Sequence, residues 1–96
     1  MKIFAIEKNR PGITFEDMKP YLKDELSYAW NLYKKNIIRE FYFGTDTPGV
    51  ILVLECVDVV EAKRVLSDLP FMKANLIEFE FMPVGAFTLF ESLFAK

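Results

Sequence analysis

The sequence of 96 residues contains no histidine and a single cysteine, and both shortages restrict its chemistry. Cys56 ends an apolar segment and has no histidine to activate it, so we expect an inert thiol. A metal site would need oxygen ligands alone, and the spacing of a calcium-binding loop is missing. No glycine-rich loop joins a strand to a helix in the phosphate-binding pattern. The sequence therefore predicts neither a metal nor a cofactor.

Long apolar runs and basic clusters are also missing. The longest apolar run is far shorter than the ~20 residues of a membrane helix, and the N-terminus lacks the pattern of a signal peptide. The net charge is −2 and the basic residues are scattered, which argues against nucleic acid as a partner. One cysteine cannot form an internal disulfide. We therefore expect a cytoplasmic protein that binds neither nucleic acid nor membrane.

Hydrophobic residues, in contrast, are abundant. They make up 52% of the chain and include ten phenylalanines. The length predicts one domain over residues 1–96, and so small a domain has a high surface-to-volume ratio. Part of its apolar surface is then hard to bury within one copy. We expect self-association, as a homodimer or a larger even-numbered assembly.

Periodicity and turn residues predict the elements. Alternation or continuous apolar runs indicate strands at 2–8, 37–43, 50–56 and 76–82. Helical spacing indicates a helix over 21–35 that Asn36 ends, and a second helix from the Asp58–Glu61 capping box to the break at Pro70. A tail helix is predicted from Thr88 to near residue 95, and it is too apolar to remain solvated. The apolar faces predicted for the two main helices are Leu22, Leu26, Ala29, Trp30 and Tyr33 in the first, and Val60, Val65, Leu66 and Leu69 in the second.

The order of these elements predicts the fold. Strand, helix, strand, strand, helix, strand is the ferredoxin-like α+β arrangement, in which both helices cover one face of an antiparallel sheet. The other face would carry apolar side chains together with Glu78 and Glu80, which share one side of the last strand. Two such faces packed together would form a closed dimeric barrel.

Four segments also resemble the muconolactone isomerase family: Asn36–Phe43 (NIIREFYF), Val57–Ala62 (VDVVEA), Leu69–Phe71 (LPF) and Ile77–Phe81 (IEFEF). The resemblance covers about residues 37 to 87. It implies a dimeric α+β barrel and a proton-shifting isomerase that acts on a small lactone acid. It places Arg39 at the strand arginine of the family and Glu80 at its strand acid. Where the family has histidines, this chain has Glu40 and, near the end of the region, Ala86-Phe87.

Glu78 and Glu80 are the predicted catalytic residues, with side chains roughly 7 Å apart along the strand. In a dry barrel either could be the general base that removes a proton beside a carbonyl group. The alternative is a solvated or ion-paired strand face.

The predicted substrate-binding residues are Arg39, Glu40, Tyr42, Trp30 and Tyr33. Arg39 would bind a substrate carboxylate through its bidentate guanidinium, or else form a structural salt bridge. Strand parity places Arg39 opposite Glu40 and Tyr42 and leaves open which side faces a pocket. The aromatic residues would line a site for a flat ligand, or else belong to the core.

The sequence is compatible with two functions. One is an isomerase for a small lactone or carboxylic acid. The other is a non-catalytic homodimer that binds a small apolar acid or serves as an assembly module.

Overall fold

The computed structural model describes residues 1–95, in which four strands and four α-helices follow one another. The strands are β1 (Lys2–Asn9), β2 (Ile38–Phe43), β3 (Val50–Glu55) and β4 (Ile77–Val84). The helices are α1 (Phe15–Met18), α2 (Leu22–Lys34), α3 (Val59–Leu66) and α4 (Pro70–Lys73). A 3₁₀ turn at Lys19–Tyr21 leads into α2, and a 3₁₀ helix at Thr88–Leu93 follows β4.

The strands form one antiparallel sheet in the order β2-β3-β1-β4. This is the strand order of the ferredoxin-like fold, so the predicted α+β class is confirmed. β3 and β1 lie inside the sheet, in agreement with the continuous apolar sequence of β3. Within residues 1–95, no helix has the length and apolar character needed to cross a membrane.

Local signals end and begin the elements as predicted. Asn36 has a φ of 64°, the left-handed conformation that ends the segment after α2. Asp58 accepts a hydrogen bond from the backbone N–H of Glu61 at 2.8 Å, and the Glu61 carboxylate accepts from the N–H of Val57 at 3.1 Å. This reciprocal pair satisfies free donors at the start of α3. Pro20 lies in the 3₁₀ turn before α2, where its missing N–H costs no helical hydrogen bond.

The two faces of the sheet differ in what covers them. Ile3 and Leu54 are fully buried and cluster with Leu32 of α2 and Leu66 of α3, so both long helices pack on this face. The register places the alternate residues of each strand on the opposite face, which neither helix covers. We call this second surface the open face. It carries Phe4, Ile6 and Lys8 of β1, Glu40 and Tyr42 of β2, Ile51, Val53 and Glu55 of β3, and Glu78, Glu80 and Met82 of β4.

The predicted apolar face of α2 is wrong in part. Leu26, Trp30 and Tyr33 are 60%, 57% and 45% exposed, whereas Glu25 and Leu32 are buried. The helix has two neighbouring apolar stripes, and packing selects the one that contains Leu32. Because Glu25 lies in the stripe that contains Leu32, that stripe is less hydrophobic in the sequence than the one predicted.

The second helical region also differs from the prediction. Val60, predicted to be buried, is 74% exposed, and Ala62 is buried in its place, whereas the predicted burial of Leu66 and Leu69 is confirmed. Pro70, predicted as the break at the end of this helix, is the first residue of the separate helix α4, since a missing N–H is harmless at that position.

The C-terminal segment extends away from the rest of the chain. Its predicted helix is a 3₁₀ helix, and Phe87, Leu89, Phe90, Leu93 and Phe94 are all between 66% and 81% exposed. The radius of gyration is 15.8 Å, against about 12.5 Å for a compact chain of this length. The apolar surface expected from composition therefore lies largely in this segment, on α2 and along β2.

Cys56 lies just beyond β3 and is 5% exposed. Burial is the main cause that raises the pKa of its thiol, and the nearby Glu61 raises it further. Both effects reduce the thiolate population, in agreement with the inert role predicted for this residue.

Candidate functional site

Glu78 and Glu80, the predicted catalytic pair, lie on the open face opposite cations of the first strand and its following turn. The Glu80 carboxylate is 3.5 Å from the Lys8 ammonium, and that of Glu78 is 3.9 Å from the Arg10 guanidinium. All four side chains are at least 40% exposed. This is the geometry of the ion-paired strand face that the sequence left open, and the catalytic role of the two acids stays a prediction.

The predicted substrate-binding residues meet in a shallow groove at the other edge of the sheet. Trp30 and Tyr33 stack with ring centroids 5.5 Å apart, and Tyr33 lies 6.0 Å from the ring of Phe41. Arg39, Glu40 and Tyr42 complete the groove.

A β-bulge in β2 changes the strand parity that was expected to place Arg39 opposite Glu40 and Tyr42. The register shifts between Ile38 and Glu40, so Arg39 no longer has to point away from Glu40. The Tyr42 hydroxyl donates a hydrogen bond to Glu40, and this bond raises the pKa of Tyr42.

The predicted catalytic acids and the predicted substrate-binding residues do not meet within one protomer. β4 and β2 are the opposite edge strands, and two strands lie between them. The acids and the arginine therefore form two separate surfaces of this chain.

A third place, which the sequence analysis missed, lies between α2 and the helix-covered face of the sheet. A cavity of about 380 Å³ opens there, and we call it the helix-side cavity. Its lining is mostly apolar and includes the phenylalanines Phe15, Phe41, Phe43 and Phe71. Two carboxyl groups also line it, those of Glu7 in β1 and Glu25 in α2, although both residues are more than nine-tenths buried.

The alternation of β1 explains why Glu7 is buried. Ile3 and Ala5 face the helices, and Glu7 is the next residue with the same parity. Within residues 1–95, no protein group donates a hydrogen bond to its carboxyl group. Burial, and to a smaller degree the nearby charge of Glu25, therefore raise the pKa of Glu7 from 4.5 to about 7.

Glu25 has a structural partner as well. Its Oε1 accepts a hydrogen bond of 2.9 Å from the backbone N–H of Phe71, in the first turn of α4. Leu69 precedes that helix and has no side-chain acceptor, so the carboxyl group of α2 satisfies a donor that the local sequence leaves free. Burial raises the pKa of Glu25, and the bond from Phe71 opposes that effect.

Gly49 holds the β2–β3 hairpin against β1 beside this cavity. Its φ is 130°, and a Cβ atom at this position would lie 2.4 Å from the carbonyl oxygen of Glu7. A residue with a side chain would therefore displace either the hairpin or the strand that carries Glu7.

The chemistry available in the cavity is that of carboxyl groups in a largely apolar space. The Glu25 carboxyl group accepts a hydrogen bond from the backbone, whereas that of Glu7 has no protein donor within residues 1–95 and has a pKa of about 7. Across residues 1–95, no cluster of three or more Asp, Glu, His or Cys side chains is arranged to hold a metal ion. A polar residue at a core position, Glu7 in the alternation of β1 or Glu25 in the helical stripe, was the available signal in the sequence.

The fold and the cavity together define a small α+β protein of the ferredoxin-like type. No family model and no curated protein sequence matches the chain. Among solved structures it is similar to the 5-chloro-2-hydroxyhydroquinone dehydrochlorinase of Burkholderia phenoliruptrix AC1100, in complex with 2,5-dihydroxybenzoquinone. The two chains are 23% identical with a TM-score of 0.68, and the match covers 88% of this chain and 94% of the other. At this identity the likeness shows a common fold.

Proposed function

We propose that this protein is an enzyme that transfers a proton to and from a carbon atom of a small substrate in the helix-side cavity, with Glu7 as the general acid and base. One observation carries the proposal. Glu7 is a buried carboxyl group that lines a cavity, has no hydrogen-bond donor within residues 1–95, and has a pKa of about 7.

A pKa near neutrality suits both directions of transfer. At pH 7 the ionised and protonated forms of Glu7 are both well populated, so the same group can accept a proton and return it. The largely apolar lining solvates a carboxylate poorly, which favours the protonated form and brings the pKa of Glu7 near neutrality. Glu25 supports this state because its own charge disfavours ionisation of Glu7.

Two reaction types begin in this way. In an isomerisation, Glu7 removes a proton beside a carbonyl group, the C–H electron pair enters the conjugated system, and the carboxyl returns the proton to another carbon. In an elimination, the same electron pair forms a double bond while a leaving group departs with its own pair. The resemblance to muconolactone isomerase supports the first type, which we propose. The name of the dehydrochlorinase supports the second as an alternative.

The proposed enzyme works as a homodimer, or as a larger even-numbered assembly, in which two open faces pack together. The mixture of Phe4, Ile6 and Met82 with charged side chains on this face supports the pairing, and so does the exposed C-terminal segment. In this arrangement Glu78 and Glu80 serve the interface through their ion pairs with the first strand region.

Deuterium exchange into simple carbonyl compounds tests the chemistry. Cyclohex-2-enone, γ-butyrolactone and 4-hydroxycyclohexanone would be incubated with the protein in D₂O, and loss of C–H signals would be followed by NMR. We expect catalysed exchange of at least one compound and a loss of about 100-fold or more in Glu7→Gln. Glu16→Gln, at an exposed glutamate outside the cavity lining, is the matched control and should retain the rate. Equal exchange by the wild-type protein and Glu7→Gln, or none above the buffer rate, would refute the proposal.

Native mass spectrometry tests the assembly. Met82→Asp places a charge on the open face and should shift the protein to monomers. Val60→Asp makes the same change on the exposed surface of α3 and should leave the assembly intact. Monomers in the wild-type protein, or equal assembly of the two variants, would contradict the paired-sheet arrangement.

A further inference from the structure

The charge of the helix-side cavity limits the compounds that it can hold. Among the described residues of its lining, Glu7 and Glu25 carry ionisable side chains, and none is a lysine or an arginine. Each glutamate is more than nine-tenths buried. A ligand in the cavity therefore meets two carboxyl groups and no cation of the lining.

An anionic ligand would lose its hydration in such a place without gaining a partner. Its charge would also oppose ionisation of Glu7, the state in which that group accepts a proton. Arg39, which the sequence analysis assigned to a substrate carboxylate, lies in the groove beside Trp30 and not in the cavity lining. A carboxylic acid is thus a poor match for this site.

An uncharged ring fits the same surroundings. The phenylalanines of the lining offer flat apolar walls. Glu7 has no donor within the described chain, so a ligand hydroxyl can donate to its carboxylate, and a ligand carbonyl can accept from its protonated form. The volume of about 380 Å³ is near the lower end for small-molecule pockets, which favours a single ring.

We infer that the helix-side cavity selects uncharged single-ring compounds that carry a hydroxyl or carbonyl group, and that Glu7 and Glu25 reject the corresponding carboxylates. The inference rests on the proposed function for its choice of site, and it concerns binding rather than turnover.

Three compounds that differ at one substituent test it: 4-hydroxybenzamide, 4-hydroxybenzoate and 4-hydroxybenzylamine. Dissociation constants at pH 7 would come from NMR titration of backbone amides, with the amides near Glu7 and Phe71 as reporters of the site. We expect the amide to bind about tenfold or more tightly than the benzoate. In Glu7→Gln this preference should fall below about threefold, whereas Glu16→Gln, a change at an exposed glutamate outside the cavity lining, should preserve it.

Four outcomes of these titrations would overturn the inference. Equal or tighter binding of the benzoate, or a preference unchanged in Glu7→Gln, would show that the two carboxyl groups do not select against anions. Tightest binding of the amine would make the cavity a cation site, and no binding of any compound at millimolar concentration would exclude single rings. A protein that binds selectively but catalyses no exchange that depends on Glu7 would retain this inference and lose the proposed function.

Discussion

Replacement of Glu7 by glutamine should make the stability of the protein less dependent on pH between pH 5 and pH 8. The pKa of Glu7 is about 7 in the folded protein, and 4.5 is its ordinary value. The folded state therefore binds this proton more tightly than the unfolded state does. Protonation stabilises the fold in full below about pH 4.5, and the contribution is lost as the pH rises through 7.

The size of the effect follows from that difference. About 2.5 pKa units correspond to about 3.4 kcal/mol, of which about 2.5 kcal/mol is lost between pH 5 and pH 8. For a chain of this length, that loss corresponds to a fall of roughly 10–20 °C in melting temperature. Glutamine has nearly the same shape and cannot ionise, so Glu7→Gln should be more stable than the wild-type protein at pH 8.

Urea unfolding at pH 5, 6, 7 and 8, with the protein concentration held fixed, measures this difference. The change with pH in Glu7→Gln is subtracted from that in the wild-type protein, because other titrating groups contribute to both. Glu16→Gln is the control, since its carboxylate is exposed and its ion pair with Lys19 contributes less than about 1 kcal/mol. Parallel curves for the wild-type protein and Glu7→Gln would refute a raised pKa and the proton-transfer role built on it.

Three further predictions concern other parts of the molecule. Glu25→Ala should lower the free energy of unfolding by about 1–3 kcal/mol in urea titrations, because the Phe71 amide loses its acceptor. Glu25→Gln keeps an acceptor and should lower that free energy less. An equal decrease in the two variants would contradict the capping role. Gly49→Ala should lower the melting temperature and the exchange activity more than Gly12→Ala does. Both positions have a positive φ, but a Cβ at Gly49 would also meet a backbone carbonyl, whereas a Cβ at Gly12 meets no atom within 4 Å; equal effects would rule out this close contact. A chain that ends after residue 85 should keep its far-ultraviolet circular dichroism and form weaker assemblies by sedimentation velocity, and unchanged assembly would separate the tail from the interface.

The sequence predicts the fold well because its signals are local. Asp58 and Glu61 lie within one turn, and the left-handed conformation at Asn36 follows from its residue type and its place after a helix. Strand alternation likewise identifies the helix-covered face of β4. Such signals depend on a few neighbouring residues and survive packing unchanged.

The candidate site was harder to predict because its parts come together through packing. Glu7 and Glu25 are 18 positions apart and meet only when α2 crosses the sheet. The choice between the two apolar stripes of α2 depends on the same packing, so Trp30 was assigned to a face that the structure exposes. The bulge at Arg39 changes strand parity through the pairing with β3, which a single strand does not reveal.

The buried thiol of Cys56 makes this protein convenient for kinetics. The sequence holds one cysteine, so a thiol reagent such as 5,5′-dithiobis(2-nitrobenzoate) reports one event per chain. Because the reagent needs an accessible thiolate, the labelling rate measures how often the end of β3 opens. Comparison with the global unfolding rate then tells whether this corner opens alone or with the whole sheet, and no label has to be introduced.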